Sequence, residues 1–265
     1  MQWKAVAAVS ILWALAGAAG AVGNMAEVTV YDRVENRALP LLRHAGRYYV
    51  VGKPGNEYQV RVRNRTGAEI LAVLSVDGVN AVSGETASWR QAGYVLAPHQ
   101  TLDVKGWRKS LPRVAAFFFT EHHTSYAART GRPENVGVIG VALYRKKREP
   151  ETSIDPGPRR GHGAPAAEDG AGDAGSAGRS GAAESAAPRH APSPYPAERG
   201  AALGTGHGRS ETSHARYTAF ERATAHPEEL IAIHYDTYPN LVALGVIRAP
   251  RVATPFPGQF VPDPK

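Results

Sequence analysis

Two groupings of side chains in this sequence have the types that catalysis needs. The chain holds ten histidines. Glu121-His122-His123 places two imidazoles beside a carboxylate, and His207, His214, His226 and His234 recur toward the C-terminal end. Imidazole and carboxylate are metal ligands and general bases. Adjacent histidines on a strand point to opposite faces, so His122 and His123 can share an ion only from a loop. Ser210, His234 and Asp236 are the residue types of a hydrolase triad, yet type alone is weak without an oxyanion hole or a nucleophile elbow. On the helix expected there, His234 and Asp236 stand two apart and share no face. Asp77 has the type of an acid or base, but Gly78 beside it marks a turn. With ten histidines, chance clusters are expected, and no catalytic residue, metal ligand or cofactor is assigned.

A third grouping suits binding. Trp107, Arg108 and Lys109, together with Tyr126, Arg129 and Arg132, fall between expected strands and are read as loop residues. Polar and aromatic loop residues on a rigid scaffold are the usual material of binding sites. The cations suit carboxylate or phosphate groups. Trp107, Tyr94 and Tyr126 suit stacking on a sugar or packing against a partner protein. The plainer reading is that Trp107 and Tyr94 pack in the core or a turn and that the arginines are solvated. Leu203-Gly-Thr-Gly-His-Gly-Arg209 is glycine-rich, but no strand is expected before it and no Lys-Ser/Thr follows, so it is no phosphate loop. It is read as an adaptable segment.

The elements that must hold these residues are strands. Glu27–Tyr31, Arg47–Val51 and Glu57–Arg63 alternate or are β-branched and aromatic, and Ile70–Val76 is an almost continuous apolar run. Asp77-Gly78 then joins it to Val79–Val82, a hairpin signal, because a type I′ turn needs positive φ twice. Tyr94–Leu96, Thr101–Val104, Val114–Thr120 and Val136–Tyr144 supply four more strands. The expected fold is mainly β, a β-sandwich or jelly-roll-like domain over residues 26–148. Residues 149–200 are rich in Pro, Gly, Ala and Ser, with Ile154 and Tyr195 their only large apolar side chains. Such a composition cannot bury enough surface to offset chain entropy, and it predicts a disordered linker. Residues 201–265 read as a small mixed α and irregular segment. Thr224 caps a helix from about Pro227, a short apolar element follows Pro239, and a Pro-rich tail ends it. Too short for a core of its own, this segment is expected to pack on the first domain or on a partner.

Several phrases in the chain are specific as a set: Ser75-Val-Asp-Gly-Val-Asn80, Ser83-Gly-Glu-Thr-Ala87, Gly106-Trp-Arg-Lys-Ser110, Ser125-Tyr-Ala-Ala-Arg-Thr-Gly-Arg-Pro133 and Asn135-Val-Gly-Val-Ile-Gly-Val141. With these, the chain resembles a family of exported proteobacterial proteins that has no assigned activity. The resemblance implies export and the same domain boundaries, and it implies no catalytic residue.

The first 21 residues carry Lys4, then an apolar run from Ala5 to Leu15 broken by Ser10, then Ala19-Gly20-Ala21. This predicts a secretory leader cleaved after Ala21, with Ala16-Gly17-Ala18 as a second cleavage site. The mature chain is expected outside the cytoplasm, periplasmic or extracellular, with no membrane span. The alternative is a retained anchor. No cysteine occurs, which excludes disulfides and thiolate chemistry.

The net charge is +7. Residues 1–148 hold 20 basic and 10 acidic side chains, 149–200 hold 5 and 8, and 201–265 hold 6 and 6. A moderately basic β-domain, with no run of five basic residues, gives no specific nucleic-acid signature. The leading reading is a non-enzymatic exported module that binds a partner protein or a cell-envelope component. The alternative is a metal-dependent or Ser/His/Asp hydrolase that uses the C-terminal histidines.

Overall fold

The computed structural model describes residues 21–148 and 202–248. The leader up to residue 20, the expected linker and the Pro-rich tail lie outside the described residues. In chain order the strands are β1 (Ala26–Asp32), β2 (Arg37–Ala38), β3 (Leu42–His44), β4 (Arg47–Val51), β5 (Glu57–Asn64), β6 (Ile70–Val76) and β7 (Val79–Asn80). There follow β8 (Tyr94–Leu96), β9 (Thr101–Val104), β10 (Gly106–Ser110), β11 (Arg113–Glu121), β12 (Val138–Arg145), β13 (Leu203–Thr212) and β14 (Glu229–Asp236). Two short helices, α1 (Tyr126–Arg129) and α2 (Tyr238–Ala243), lie in connections.

The strands form two sheets. In the first, β1 lies between β2 and β5, and β11 lies between β10 and β13. The start of β5 pairs with β11, while its far end pairs with β9. The second sheet runs β3-β4-β14-β12-β6-β7, with β8 also beside β6. Among the described pairs only β14 with β4 is parallel. One apolar core fills the space between the sheets. Val28, Val30, Val60, Val62, Phe117 and Phe119 meet Leu74, Val76, Ile139, Val141, Ile231 and Ile233 there. The protein is therefore mainly β with two packed sheets.

Several expected elements are present for the expected reasons. On β5, Val60 and Val62 face the core, while Arg61 makes a two-pronged contact with Asp103 at 2.7 and 3.1 Å. β6 reads as a continuous apolar run because both its faces are covered. Leu74 and Val76 lie in the main core, and Leu71 and Val73 join Ala142 and Tyr144 in a second cluster, against which Val95 and Phe220 pack. The Asp77-Gly78 turn has φ of 53° and 71°, and Val76 pairs with Val79 across it.

The C-terminal segment differs from the expectation. It carries one short helix, α2, capped by Thr237 and preceded by two long strands. The helix expected from about Pro227 is instead the strand β14. Ile231, Ile233 and Tyr235 point into the core and alternate with Ala232, His234 and Asp236. Hydrogen-bonding partners on both flanks, β12 and β4, override the local capping signals. The glycine-rich segment expected to be adaptable is β13, paired along nearly all of β11. The two C-terminal strands thus enter one sheet each.

Candidate binding surface

The binding residues named from the sequence lie on two sides of β10. Trp107, Arg108 and Lys109 are not loop residues but belong to this strand. Neighbours on a strand face opposite ways, and these do. Trp107 is only 3% exposed and stands edge-on to Phe117, ring centroids 4.8 Å apart. Its other neighbour is Tyr126 at 4.9 Å, whose ring continues to His207 at 5.4 Å, with the Arg132 guanidinium 5.9 Å from it. Arg132 also donates to Gly84 O and Thr130 Oγ1. Arg108 turns away. Its guanidinium donates to the carbonyls of Ser110, Leu111 and Ser213 and lies near the Tyr94 ring. Lys109 and Arg129 are exposed. The structure therefore brings together Trp107, Tyr126 and Arg132 with His207. Trp107 serves the core, and Arg108 ties β10 to the chain after β13.

The histidine and triad candidates do not converge. His122 Nε2 lies 3.1 Å from Pro133 O, while His123 Nδ1 lies 3.4 Å from Glu121. Ser210 is on β13 in the first sheet, and His234 and Asp236 are on β14 in the second. On a strand His234 and Asp236 do share a face, but each has other company. The His234 ring lies tilted against Tyr49, centroids 5.4 Å apart, and burial aided by Arg47 lowers its pKa. Asp236 Oδ1 accepts from Leu203 N, Thr237 N and Asn240 Nδ2. No group of three metal-ligating side chains occurs among the described residues.

Asp77 has a different role from that of an exposed acid or base. It is fully buried. Its carboxylate accepts from Gly137 N at 2.9 Å, Thr205 N at 2.7 Å and the Tyr235 hydroxyl at 2.5 Å. Tyr235 in turn meets Thr205 Oγ1 at 2.6 Å, which meets the Tyr58 hydroxyl at 2.5 Å. Burial pushes the Asp77 pKa up to about 6 against the pull of these donors. Burial and the Asp77 charge hold both tyrosines well above their ordinary range. The cluster clasps the β6–β7 turn to β13 and β14, one strand from each sheet.

A surface that sequence reading missed lies on the outer face of the second sheet. There Ser75 pairs with Gly140 and Val73 with Ala142, making a floor of small side chains. A Cβ added to Gly140 would sit 2.8 Å from Ser75 Oγ, so a larger residue there would displace that hydroxyl and begin to fill the trough. Leu230, paired with Ala142 on β14, forms one wall at 64% exposure. Trp89, 44% exposed, forms the other with Ala87 and Ser88. The trough between them is about 260 Å³.

The loop that carries Trp89 is firmly held. Tyr144 Oη donates to Trp89 O at 2.9 Å, Arg222 donates to Gln91 O at 2.6 Å, and Ala87 N donates to Gly78 O at 2.8 Å. Gln91 Oε1 accepts from Ser88 N and Asn80 Nδ2. No ionisable side chain lines the trough. It can hold a flat ring or an apolar side chain, and it has no acid or base for bond cleavage. The signal that could have found it is the small-residue pattern Ser75, Gly140 and Ala142 on strands whose other face is core.

Much of the basic excess is paired. Arg33, Lys105 and Arg209 surround Glu211, and Arg33 and Arg209 also reach Glu57. Arg145 meets Glu228, Lys146 meets Glu69 and Lys147 meets Glu221. No helix among the described residues is long and apolar enough to cross a membrane. No protein-family model, curated protein or solved structure matches this chain.

Proposed function

We propose that this protein is an exported, non-enzymatic binding module that uses the Trp89–Leu230 trough to engage a partner protein or a cell-envelope component. The observation that carries this reading is the trough itself. Two large apolar side chains stay in water on either side of a small-residue floor, and one of them sits on a loop pinned by five hydrogen bonds. A preformed aromatic wall costs little to order on binding. Tryptophan is also the side chain most enriched among residues that dominate interfaces. The leader-like first 21 residues support export. The unlined chemistry of the trough favours binding over hydrolysis. Tyr126, Arg132 and His207 form a second accessible aromatic and cationic corner, to which Trp107 contributes only support.

The test is a pull-down from envelope extract with the wild type and a Trp89→Ala/Leu230→Ser variant. A saturable species should be held by the wild type, and the variant should hold it at least about thirtyfold more weakly, as expected of a central aromatic anchor. Unchanged urea unfolding of the variant shows that the fold is intact. Equal retention by both proteins, or no saturable species at all, would overturn the reading.

A further inference from the structure

A second, larger hollow opens where the two sheets part, between β2 of one and β3 of the other. Its volume is about 490 Å³, within the range of small-molecule sites. Leu39, Pro40, Leu42 and Val51 form its walls, and Tyr238 and Ile247, at and after α2, close one side. Leu39 belongs to the main core and Leu41 packs against it, so one wall of the hollow is continuous with the sandwich interior.

The charge at the mouth is not symmetric in exposure. Arg37 and Lys53 stand half-exposed and both pair with Glu35, the more sheltered of the three. Asp32, the remaining charge, is buried. Its carboxylate accepts from Val34 N at 2.9 Å, Glu35 N at 2.8 Å and Asn56 Nδ2 at 2.8 Å. The two cations share the one carboxylate of Glu35 and are the most exposed charges at the mouth, so an incoming head group meets them first, while Asp32 is turned to backbone and Asn56 donors.

We propose that this hollow is a binding site for a free single-chain amphiphile with an anionic head, a medium-chain fatty acid. Its acyl chain lies along Leu39, Leu42 and Val51, and its carboxylate meets Lys53 and Arg37. Leucine and valine walls offer nothing to a polar chain, and the two exposed cations select the sign of the head. This site is separate from the trough and does not depend on the reading given for it.

The experiment is calorimetric titration of the full chain with octanoate, decanoate and dodecanoate, each below its micelle concentration. Affinity should rise about fourfold per added methylene until the hollow is filled, then level off. Dodecanol and dodecyltrimethylammonium should bind more weakly than dodecanoate. Lys53→Glu, with urea unfolding as the check on its fold, should weaken dodecanoate by about fivefold and narrow or reverse that preference. Leu42→Trp should fill the hollow and abolish binding, with urea unfolding as the check on its fold. Binding with no chain-length dependence, equal binding of the three head groups, or full binding by the Leu42→Trp variant would overturn the proposal. So would binding only to phosphatidylglycerol vesicles. Binding by a chain ending at Arg248 but not by the full chain would also overturn it, because residues beyond Arg248 would then be the occupant.

Discussion

Replacing Asp77 by Asn should change how stability depends on pH. The buried Asp77 has a pKa of about 6, against an ordinary value of 3.8. A carboxyl raised by folding makes the native state bind a proton that the unfolded chain does not. Its contribution is fully present below pH 3.8 and is lost as the pH rises through 6. The gap corresponds to about 3 kcal/mol, at 1.36 kcal/mol per pH unit. Wild-type stability should therefore climb as the pH falls from 7.5 toward 4.5, until carboxylates held low by cations, such as Glu57 and Glu211, begin to protonate.

In Asp77→Asn the side-chain oxygen can still accept from Tyr235 and Gly137. The amide, however, faces the Thr205 N–H that a carboxylate oxygen now satisfies at 2.7 Å. Losing that bond costs about 1–3 kcal/mol, while removing a buried charge returns a similar amount near neutral pH. The two proteins should thus be close in stability at pH 7.5 and should separate by about 2 kcal/mol by pH 4.5, with the wild type the more stable. Urea unfolding followed by tryptophan fluorescence, in half-unit pH steps, measures this. Parallel pH profiles for the two proteins would refute the assignment of the slope to Asp77.

Three further outcomes follow from the same clasp and from the strand order. Thr205→Val leaves the Tyr58 and Tyr235 hydroxyls without the oxygen that joins them, and it should cost about 2 kcal/mol in urea unfolding. Tyr58→Phe, which removes one end of the chain of hydroxyls, should cost about 1 kcal/mol. Residues 22–148 and 198–265, expressed as separate fragments, should co-purify as one folded complex, because β14 is flanked by β4 and β12 and β13 lies along β11. The first fragment alone should lack cooperative unfolding, and a cooperative transition in it would show that the sandwich closes without them.

Most of the first domain was legible because its strands carry their own pattern. Val60 and Val62 alternate with Arg61 and Arg63, and Asp77-Gly78 names its turn. β13 was not legible, because its outward positions are glycines where a pattern search looks for side chains. Gly206 lies under the Phe118 ring, where an added Cβ would come within 2.2 Å, and Gly208 lies 2.7 Å from Ala116 O by the same measure. The period of two in Leu203-Gly-Thr-Gly-His-Gly-Arg209 was present, but it was carried by the absence of side chains. β14 was misread because Thr224 and Pro227 are local signals, whereas the partners that make it a strand are distant in sequence. The trough was missed for a related reason: Trp89 is conspicuous only once the small residues of β6 and β12 are seen to lie beneath its loop.

The position of β14 also sets a schedule for synthesis. Tyr48 on β4 pairs with Ile233, which leaves the ribosome almost two hundred residues later. At about 5–20 residues per second that interval is roughly 10–40 s. Throughout it one edge of β4 has no native neighbour, as has one edge of β12 once it is made, and such edges template pairing with other chains. With this strand order the second sheet cannot be completed until its last strand arrives, and until then β4 and β12 are open to pairing with copies of the chain.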